Sequence, residues 1–302
     1  MRACVIFNPA AGGNRARPFR QFLHTLPAPA ELRPTTGPGS ARLLARLALD
    51  AGFTTLVAAG GDGTVFEVLN GIADVPDGLA RATLGILPLG TANILAHELR
   101  LPLHPARAWN LLQQGTPRPV DVGLAEFQDP GLQPARAHFL AVAGAGLDAR
   151  AVLEVDPRLK RRLGKLAYVA AAWRAWRRHS DLVECPSWNP PARGPLLLAG
   201  NGRHYAGAIP VFEDGALDSG FLHARLVPAI TPGLLLRALV AYLTRRWLPS
   251  PHLLAARIRH LELQAPRPTP LQLDGEWVGW LPATLHLLPA ALRLLHPPSK
   301  QP

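Results

Sequence analysis

Leu56-Val57-Ala58-Ala59-Gly60-Gly61-Asp62-Gly63-Thr64 reads as a strand, a glycine turn and the approach to a helix. The apolar, partly β-branched run Thr54–Ala59 suits a strand covered on both faces. Beyond the turn, Val65, Val68, Leu69 and Ile72 recur at helical spacing and predict a helix over Val65–Ile72 with that stripe inward. The glycines open backbone conformations closed to other residues and let amide groups approach phosphate oxygens. The positive end of the helix dipole falls at the same point. Asp62 would repel a phosphate by itself, so its presence points to a cation or a hydroxyl nearby. Taken alone, the stretch also fits an ordinary glycine-rich turn. It has neither the lysine of a P-loop nor a G-x-G-x-x-G pattern, so neither of those nucleotide sites is supported.

Two similar turns lie on either side. Asn8-Pro9-Ala10-Ala11-Gly12-Gly13 closes a short apolar strand, Ala3–Phe7, and Leu87-Pro88-Leu89-Gly90-Thr91-Ala92-Asn93 closes another, Leu84–Leu87. Helices are expected at Arg20–Leu26, at Ser40–Ala51 with an inward stripe of Leu43, Leu44, Leu47 and Ala48, and at Asn93–Leu99. Strands alternating with helices predict a parallel α/β sheet, which binds ligands beyond the carboxyl ends of its strands. Three small-residue turns at three such ends converge on one crevice, and a phosphate-binding site follows.

From about residue 120 the texture changes. Ala137–Val142, Leu196–Ala199, Phe221–Val227, Ile258–Leu263, Leu271–Leu273 and Thr284–Leu288 read as strands separated by Pro, Gly and Asp. Helices are expected at Arg158–His179 and Thr231–Trp247, and proline-rich loops at Gln128–Arg136 and Trp188–Pro195. The fold class is therefore α/β followed by an all-β domain. A length of 302 residues also exceeds what one small core serves.

Composition narrows the partners. Hydrophobic residues at 48% and charged residues at 18% describe a packed globular chain. The net charge of +11 suits an anionic partner, although an Arg-rich composition alone also produces it. Cys4 and Cys185 form no disulfide framework and no metal-ligand spacing, which fits a reducing cytosol. The Ala3–Phe7 run stops at Asn8-Pro9, too soon for a signal peptide. No run reaches the roughly 20 apolar residues of a spanning helix, and Leu234–Leu248 is broken by Arg237, Arg245 and Arg246. The expectation is a cytoplasmic protein, peripheral at the inner membrane face. Within Arg158–His179, Leu159, Leu163, Leu166, Ala170 and Trp173 fall at helical spacing among Arg158, Lys160, Arg161, Arg162, Lys165, Arg174, Arg177 and Arg178. Such a helix either lies on an anionic lipid surface or packs on the β domain with a solvated basic face. The histidines lack zinc spacing, and no nucleic-acid motif is present, so no nucleic acid is expected as partner.

As a set, the motifs resemble the diacylglycerol kinase catalytic-domain family, in particular its bacterial soluble lipid kinases and their sphingosine kinase relatives. The matching residues are Asn8-Pro9-x-x-Gly12, Gly60-Gly61-Asp62-Gly63-Thr64-x-x-Glu67-x-x-Asn70-Gly71, Pro88-x-Gly90-Thr91-x-Asn93, Val120-Asp121-x-Gly123 and Asp274-Gly275-Glu276. They occur in the family's order over nearly the whole chain. The resemblance implies an NAD kinase-like α/β nucleotide-binding domain over 1–124, joined by a C-terminal return at 289–302, and a β-sandwich over 125–288. The active site would lie in the cleft between them.

ATP contacts would fall on Asn8, Pro9, Ala10, Ala11, Gly12, Thr35, Gly60, Gly61, Asp62, Gly63, Thr64, Val65, Phe66, Glu67 and Thr91. Glu276 would take the proton from a lipid hydroxyl, the lipid being diacylglycerol or a related glycerolipid or sphingoid base. Outside the family context, Glu276 reads as a solvated carboxylate after an Asp-Gly hairpin turn. Mg²⁺ would accompany ATP, with Asp62 holding the cation or the β/γ-phosphates and Asp121 behind it. A second, structural Mg²⁺ would sit on Ala216, the residue at 219 and Phe221. There the chain departs from the family, because Ser219 stands where an acidic ligand belongs. Ile94 and Gly13 likewise replace a frequent aspartate and lysine. NAD kinase, which shares the Gly-Gly-Asp-Gly-Thr turn, and a catalytically weak nucleotide- or lipid-binding homologue are the alternatives.

Overall fold

A computed structural model describes residues 2–11, 22, 30–156, 159, 166–179, 181–244 and 253–298. Gly12, Gly13, the expected helix Arg20–Leu26 apart from Phe22, most of 157–165 and the end of the helix expected to reach Trp247 lie outside the described residues. The chain forms two compact units, Met1–Asp121 with Pro289–Pro302, and Val122–Leu288.

The first unit is built on β1 (Ala3–Phe7), β2 (Ala30–Pro34), β3 (Thr55–Gly60) and β4 (Thr83–Pro88), all parallel in the order β4-β3-β1-β2. β1 and β4 are buried along their whole length, as continuous apolar runs in a doubly covered sheet require. The helix Asp62–Ala73 starts three residues before the expected Val65, and it buries Val65, Val68, Leu69 and Ile72 as the periodicity predicts. It packs against the helix Ser40–Asp50.

There the sequence reading needs correction. The buried residues are Ala41, Ala45, Ala48 and Leu49, while Leu43 is 53% and Leu47 47% exposed. The reason lies in the facing helix. A Cβ on Gly71 would come within 2.2 Å of the Arg42 carbonyl oxygen and 2.8 Å of the Ala45 Cβ. The two backbones meet so closely at Gly71 that only small side chains fit between them there, and Leu43 and Leu47 are turned outward. Shorter helices at Gly78–Arg81, Ile94–Glu98 and Pro105–Gln113 complete the unit.

The second unit is mainly antiparallel. β5 (Thr116–Gln128) enters it and pairs with β6 (Pro134–Phe139), so part of the expected Gln128–Arg136 loop is strand. After β7 (Val142–Gly146), the helix Leu147–Glu154 and the helix Leu166–Arg178 come β8 (Val183–Cys185), β9 (Ala192–Gly194), β10 (Leu196–Gly200) and β11 (Leu222–Val227). The helix Pro232–Thr244 then leads to β12 (Leu254–Ile258), β13 (His260–Leu263), β14 (Pro270–Leu273) and β15 (Glu276–His296). The unit's main sheet has the order β12-β11-β10-β7-β14-β15, and β13 also pairs with β15.

The expected strand Thr284–Leu288 and the expected return over 289–302 are joined in one strand, β15, with Ala290 at φ 50° as a local irregularity. Its end belongs to the first unit, where Arg293 and Leu294 pair in parallel with Thr83 and Leu84. In that unit the buried Asp121 accepts the Ala290 amide at 2.8 Å. The aspartate of the Val120-Asp121-x-Gly123 motif thus fastens the returning strand.

Candidate active site

Four parallel strand ends carry the predicted nucleotide residues. β1 runs into Asn8, β2 into Thr35, β3 into Gly61 and β4 into Gly90. At the first end, the Asn8 amide donates to the Ala59 carbonyl at 3.0 Å, tying the turn to β3. The Asn8 side chain accepts the Ala10 amide at 2.9 Å and reaches the Thr64 hydroxyl at 3.4 Å. Pro9 and Ala11 are half-buried in this turn and Ala10 is exposed. Thr35 is buried and donates its amide to the Phe7 carbonyl at 2.8 Å.

At the third end Gly61 is the N-cap, with extended backbone, and Asp62-Gly63-Thr64 already form the first helical turn. That turn therefore presents helix amides, the arrangement that suits an anion. Val65 is buried, with its amide donating to the Gly61 carbonyl at 3.2 Å, and Phe66 is half-buried. The neighbouring turn lies directly against it. A Cβ on Gly90 would sit 2.5 Å from the Gly61 Cα, and one on Gly60 would strike the Thr64 side chain. Asn93, in the left-handed region at φ 50°, closes the Gly90 turn by accepting from the Gly90 amide and donating to its carbonyl, both at 2.8 Å. Thr91 is exposed at its tip.

Two acidic residues take positions that spacing alone does not reveal. The Asp62 carboxylate accepts the amides of Asn93 at 2.8 Å and Ile94 at 2.7 Å, so it locks the β3 turn to the β4 turn. Glu67 turns toward another helix start, accepting Gly39 N–H at 2.8 Å and Ala41 N–H at 3.0 Å. Both carboxylates stabilise helix N-termini whose amides have no partner within their own helix. Glu67 therefore shapes the loop after Thr35.

In the second unit the Asp274-Gly275 pair forms a two-residue hairpin between Leu273 and Glu276, with φ 50° and 85°. Both values are positive, as a type I′ turn requires. Asp274 is buried and accepts the amides of Leu140 at 2.9 Å, Ala141 at 2.8 Å and Val142 at 2.9 Å. The turn is also held from below. The Gly275 amide donates to Gln272 at 2.7 Å, Gln272 donates to Asp148 at 2.8 Å, and the Tyr205 hydroxyl donates to Asp148. Burial raises the Asp148 carboxyl, against the opposing hydrogen bonds from Tyr205 and Gln272. Burial, then the Asp148 charge, raises the Tyr205 phenol. Glu276, one residue beyond this braced turn, is exposed. Motif reading misses Asp148 and Gln272; the one available signal is an aspartate directly after the apolar stretch from Phe139 to Leu147.

At the structural metal site expected on Ala216, Ser219 and Phe221, hydrogen bonds within the loop engage both carbonyls. The Ser219 amide donates to the Ala216 carbonyl at 3.1 Å and the Ser219 hydroxyl to the Phe221 carbonyl at 3.0 Å. Asp218 is exposed, and Asp214 pairs with Arg257 at 2.9 Å. Among the described residues no three His, Cys, Asp or Glu side chains come together as a metal-binding group.

The helix Leu166–Arg178 also departs from its expected stripe. Ala167, Ala171 and Ala175 are buried, while Trp173 is 51% and Val169 46% exposed beside Arg174, Arg177 and Arg178. Among the described residues, no helix is long and apolar enough to cross a membrane.

Residues 2–125 match the family described as "Diacylglycerol kinase catalytic domain", and residues 141–296 that described as "YegS C-terminal NAD kinase beta sandwich-like domain". A probable lipid kinase YegS-like protein of Serratia proteamaculans is 30% identical over 98% of this chain and 93% of its own length. The crystal structure of a diacylglycerol kinase from Bacillus anthracis superposes with a TM-score of 0.69 at 21% identity, covering 98% of this chain and 97% of that one. Yeast NADH kinase shares the fold more distantly, with a TM-score of 0.52 at 9% identity over 99% of this chain and 84% of that one. With matches of this extent in both halves, the chain belongs to the YegS-like lipid kinase family, pairing a diacylglycerol kinase catalytic domain with an NAD kinase-type β-sandwich domain.

Proposed function

We propose that this protein transfers the γ-phosphate of ATP to the hydroxyl of a membrane lipid, such as diacylglycerol or a related glycerolipid or sphingoid base. Family membership makes it a phosphotransferase with an alcohol acceptor. The observation that carries the ATP reading is the carboxyl edge of the first unit's sheet. There the Asn8, Thr35, Gly61 and Gly90 turns follow four parallel strands, and the Gly61 and Gly90 backbones touch. Helix amides and glycine backbone favour an anionic phosphate chain without a P-loop lysine.

In this reading the backbone of Asn8–Ala11 and Gly61–Thr64 orients the phosphates, and Thr91 borders them. Mg²⁺ bound with the nucleotide would neutralise charge on the transferring phosphoryl group. The Asp62 carboxylate, held in place by two amide donors, supplies the oxygen ligands such a hard cation prefers. Glu276 accepts the proton of the lipid hydroxyl as it attacks. The Asp274 and Gln272 contacts hold the turn that presents it. Exposed Val169 and Trp173 beside three arginines support docking of the helix Leu166–Arg178 on an anionic membrane surface.

Incubation with γ-labelled ATP, Mg²⁺, NAD and a mixed lipid extract tests the reading, and mass spectrometry of the product names the acceptor. Label in a lipid is the expected result. Label in NADP would instead favour an NAD kinase, and nucleotide bound without transfer a binding protein. Glu276→Gln should lower turnover by about 10²–10⁴-fold while nucleotide affinity is retained. Full activity in that variant removes Glu276 as the base.

A further inference from the structure

The loop 216–221 raises a separate question: what holds it together where relatives are expected to place a divalent cation. A structural Mg²⁺ needs near-octahedral oxygen ligation at about 2.0–2.1 Å, with a carboxylate to balance its charge. Here the side chain at the central position is a neutral hydroxyl. Ser219 Oγ donates to the Phe221 carbonyl at 3.0 Å and accepts the Phe221 amide at 3.3 Å, while its own amide closes on the Ala216 carbonyl at 3.1 Å. One residue thus links both ends of the loop.

Positive charge is already present as well. Arg259 Nε donates to the Gly220 carbonyl at 3.0 Å, and its guanidinium lies 4.7 Å from the centre of the Phe221 ring. Arg257 is engaged by Asp214 at 2.9 Å. His223 Nε2 lies 3.5 Å from the Ser219 hydroxyl, and burial, with Arg257 and Arg225 close by, disfavours its imidazolium. A dication on the Ala216 and Phe221 carbonyls would be added beside the Arg259 guanidinium, with a neutral hydroxyl where its carboxylate ligand belongs.

We infer that Ser219 and Arg259 together take the place of the structural cation, so that this loop is held by a serine bridge and a fixed guanidinium and folds without a metal ion. The arginine supplies a permanent charge and a planar donor that stacks on an aromatic face, properties that suit a fixed cation. Ser219 supplies both a donor and an acceptor, which a metal-binding carboxylate cannot do.

The test uses the full chain without nucleotide, so that Mg²⁺ carried by ATP does not enter. Thermal unfolding is followed in EDTA and in millimolar Mg²⁺. The wild-type Tm should be the same in both, and Ser219→Asp combined with Arg259→Gln should acquire a Tm that rises saturably with Mg²⁺. A saturable rise in the wild type, abolished by Ser219→Ala, would overturn the inference; so would a flat response of the folded double variant. Should the double variant not fold, the single changes at Arg259 decide. Arg259→Gln should lower Tm by about 2–4 °C and Arg259→Lys by clearly less; equal losses would show that the charge is not what holds the loop.

Discussion

Gly90 illustrates how little room the phosphate turns leave. Its Cα faces the Gly61 Cα so closely that an added Cβ falls 2.5 Å away, with the Asn93 amide oxygen at 2.8 Å on the other side. Both obstacles belong to the turns themselves, so neither can withdraw without opening the site. Gly90→Ala should therefore cost about 1–3 kcal/mol of stability, read in urea unfolding, and should weaken nucleotide binding with it. Asp148 offers a test of a different kind. Burial raises its carboxyl above the ordinary aspartate range, so the folded protein binds a proton that the unfolded chain releases. Stability contributed by that proton is present at low pH and is lost as pH climbs from the ordinary aspartate range through the raised value. The difference in urea midpoint between wild type and Asp148→Asn should fall across that window and level off above it. A difference independent of pH across that window would show that the fold does not raise the Asp148 carboxyl.

The hairpin that presents Glu276 is an element in which local and long-range chemistry agree. Asp-Gly is the sequence signal for a type I′ turn, and the observed dihedral angles match it. What the dipeptide cannot reveal is that Asp274 gathers the amides of Leu140, Ala141 and Val142, residues more than a hundred positions away in the chain. Removing its carboxylate would leave buried donors without partners, at about 1–3 kcal/mol each. Asp274→Ala should therefore destabilise by about 3 kcal/mol or more, measured by chemical denaturation, a far larger loss than Glu276→Gln on the exposed neighbour.

Helix faces show the opposite balance. Periodicity identifies the inner stripe of Asp62–Ala73, where large apolar residues fill the contact. It fails for Ser40–Asp50, because hydrophobicity ranks leucine above alanine whereas the interhelical distance at Gly71 admits only alanine. The same substitution of small for large occurs at Ala167, Ala171 and Ala175, which leaves Trp173 at the surface. In an alanine- and leucine-rich chain, the buried stripe is set by how near the neighbouring backbone comes.

The largest consequence of chain topology concerns the last residues. Leu292, Leu294 and Leu295 are buried, and the pairing of Arg293 and Leu294 with Thr83 and Leu84 adds a parallel strand beside β4. Each buried leucine contributes about 1.5–3 kcal/mol, against a total stability of about 5–15 kcal/mol for a domain. Deletion of 289–302 should therefore abolish cooperative folding of the first unit, seen as loss of its unfolding transition in calorimetry.

Sequence alone determined the alternation of strand and helix, the small-residue turns at Asn8, Gly61 and Gly90, and the change to β-rich texture after residue 120. These are properties of nearest neighbours: period, glycine, and β-branching. The glycine turn after β3 is three residues shorter than its sequence suggests, with Asp62-Gly63-Thr64 inside the helix. Tertiary structure alone decided which partners the acidic groups took. Asp62 bonds the turn after β4, Glu67 a separate helix start, Asp121 the returning strand, and Asp274 a distant loop. A carboxylate's partner is fixed by whichever amide the folded chain brings within about 3 Å, and no spacing along the sequence encodes that distance.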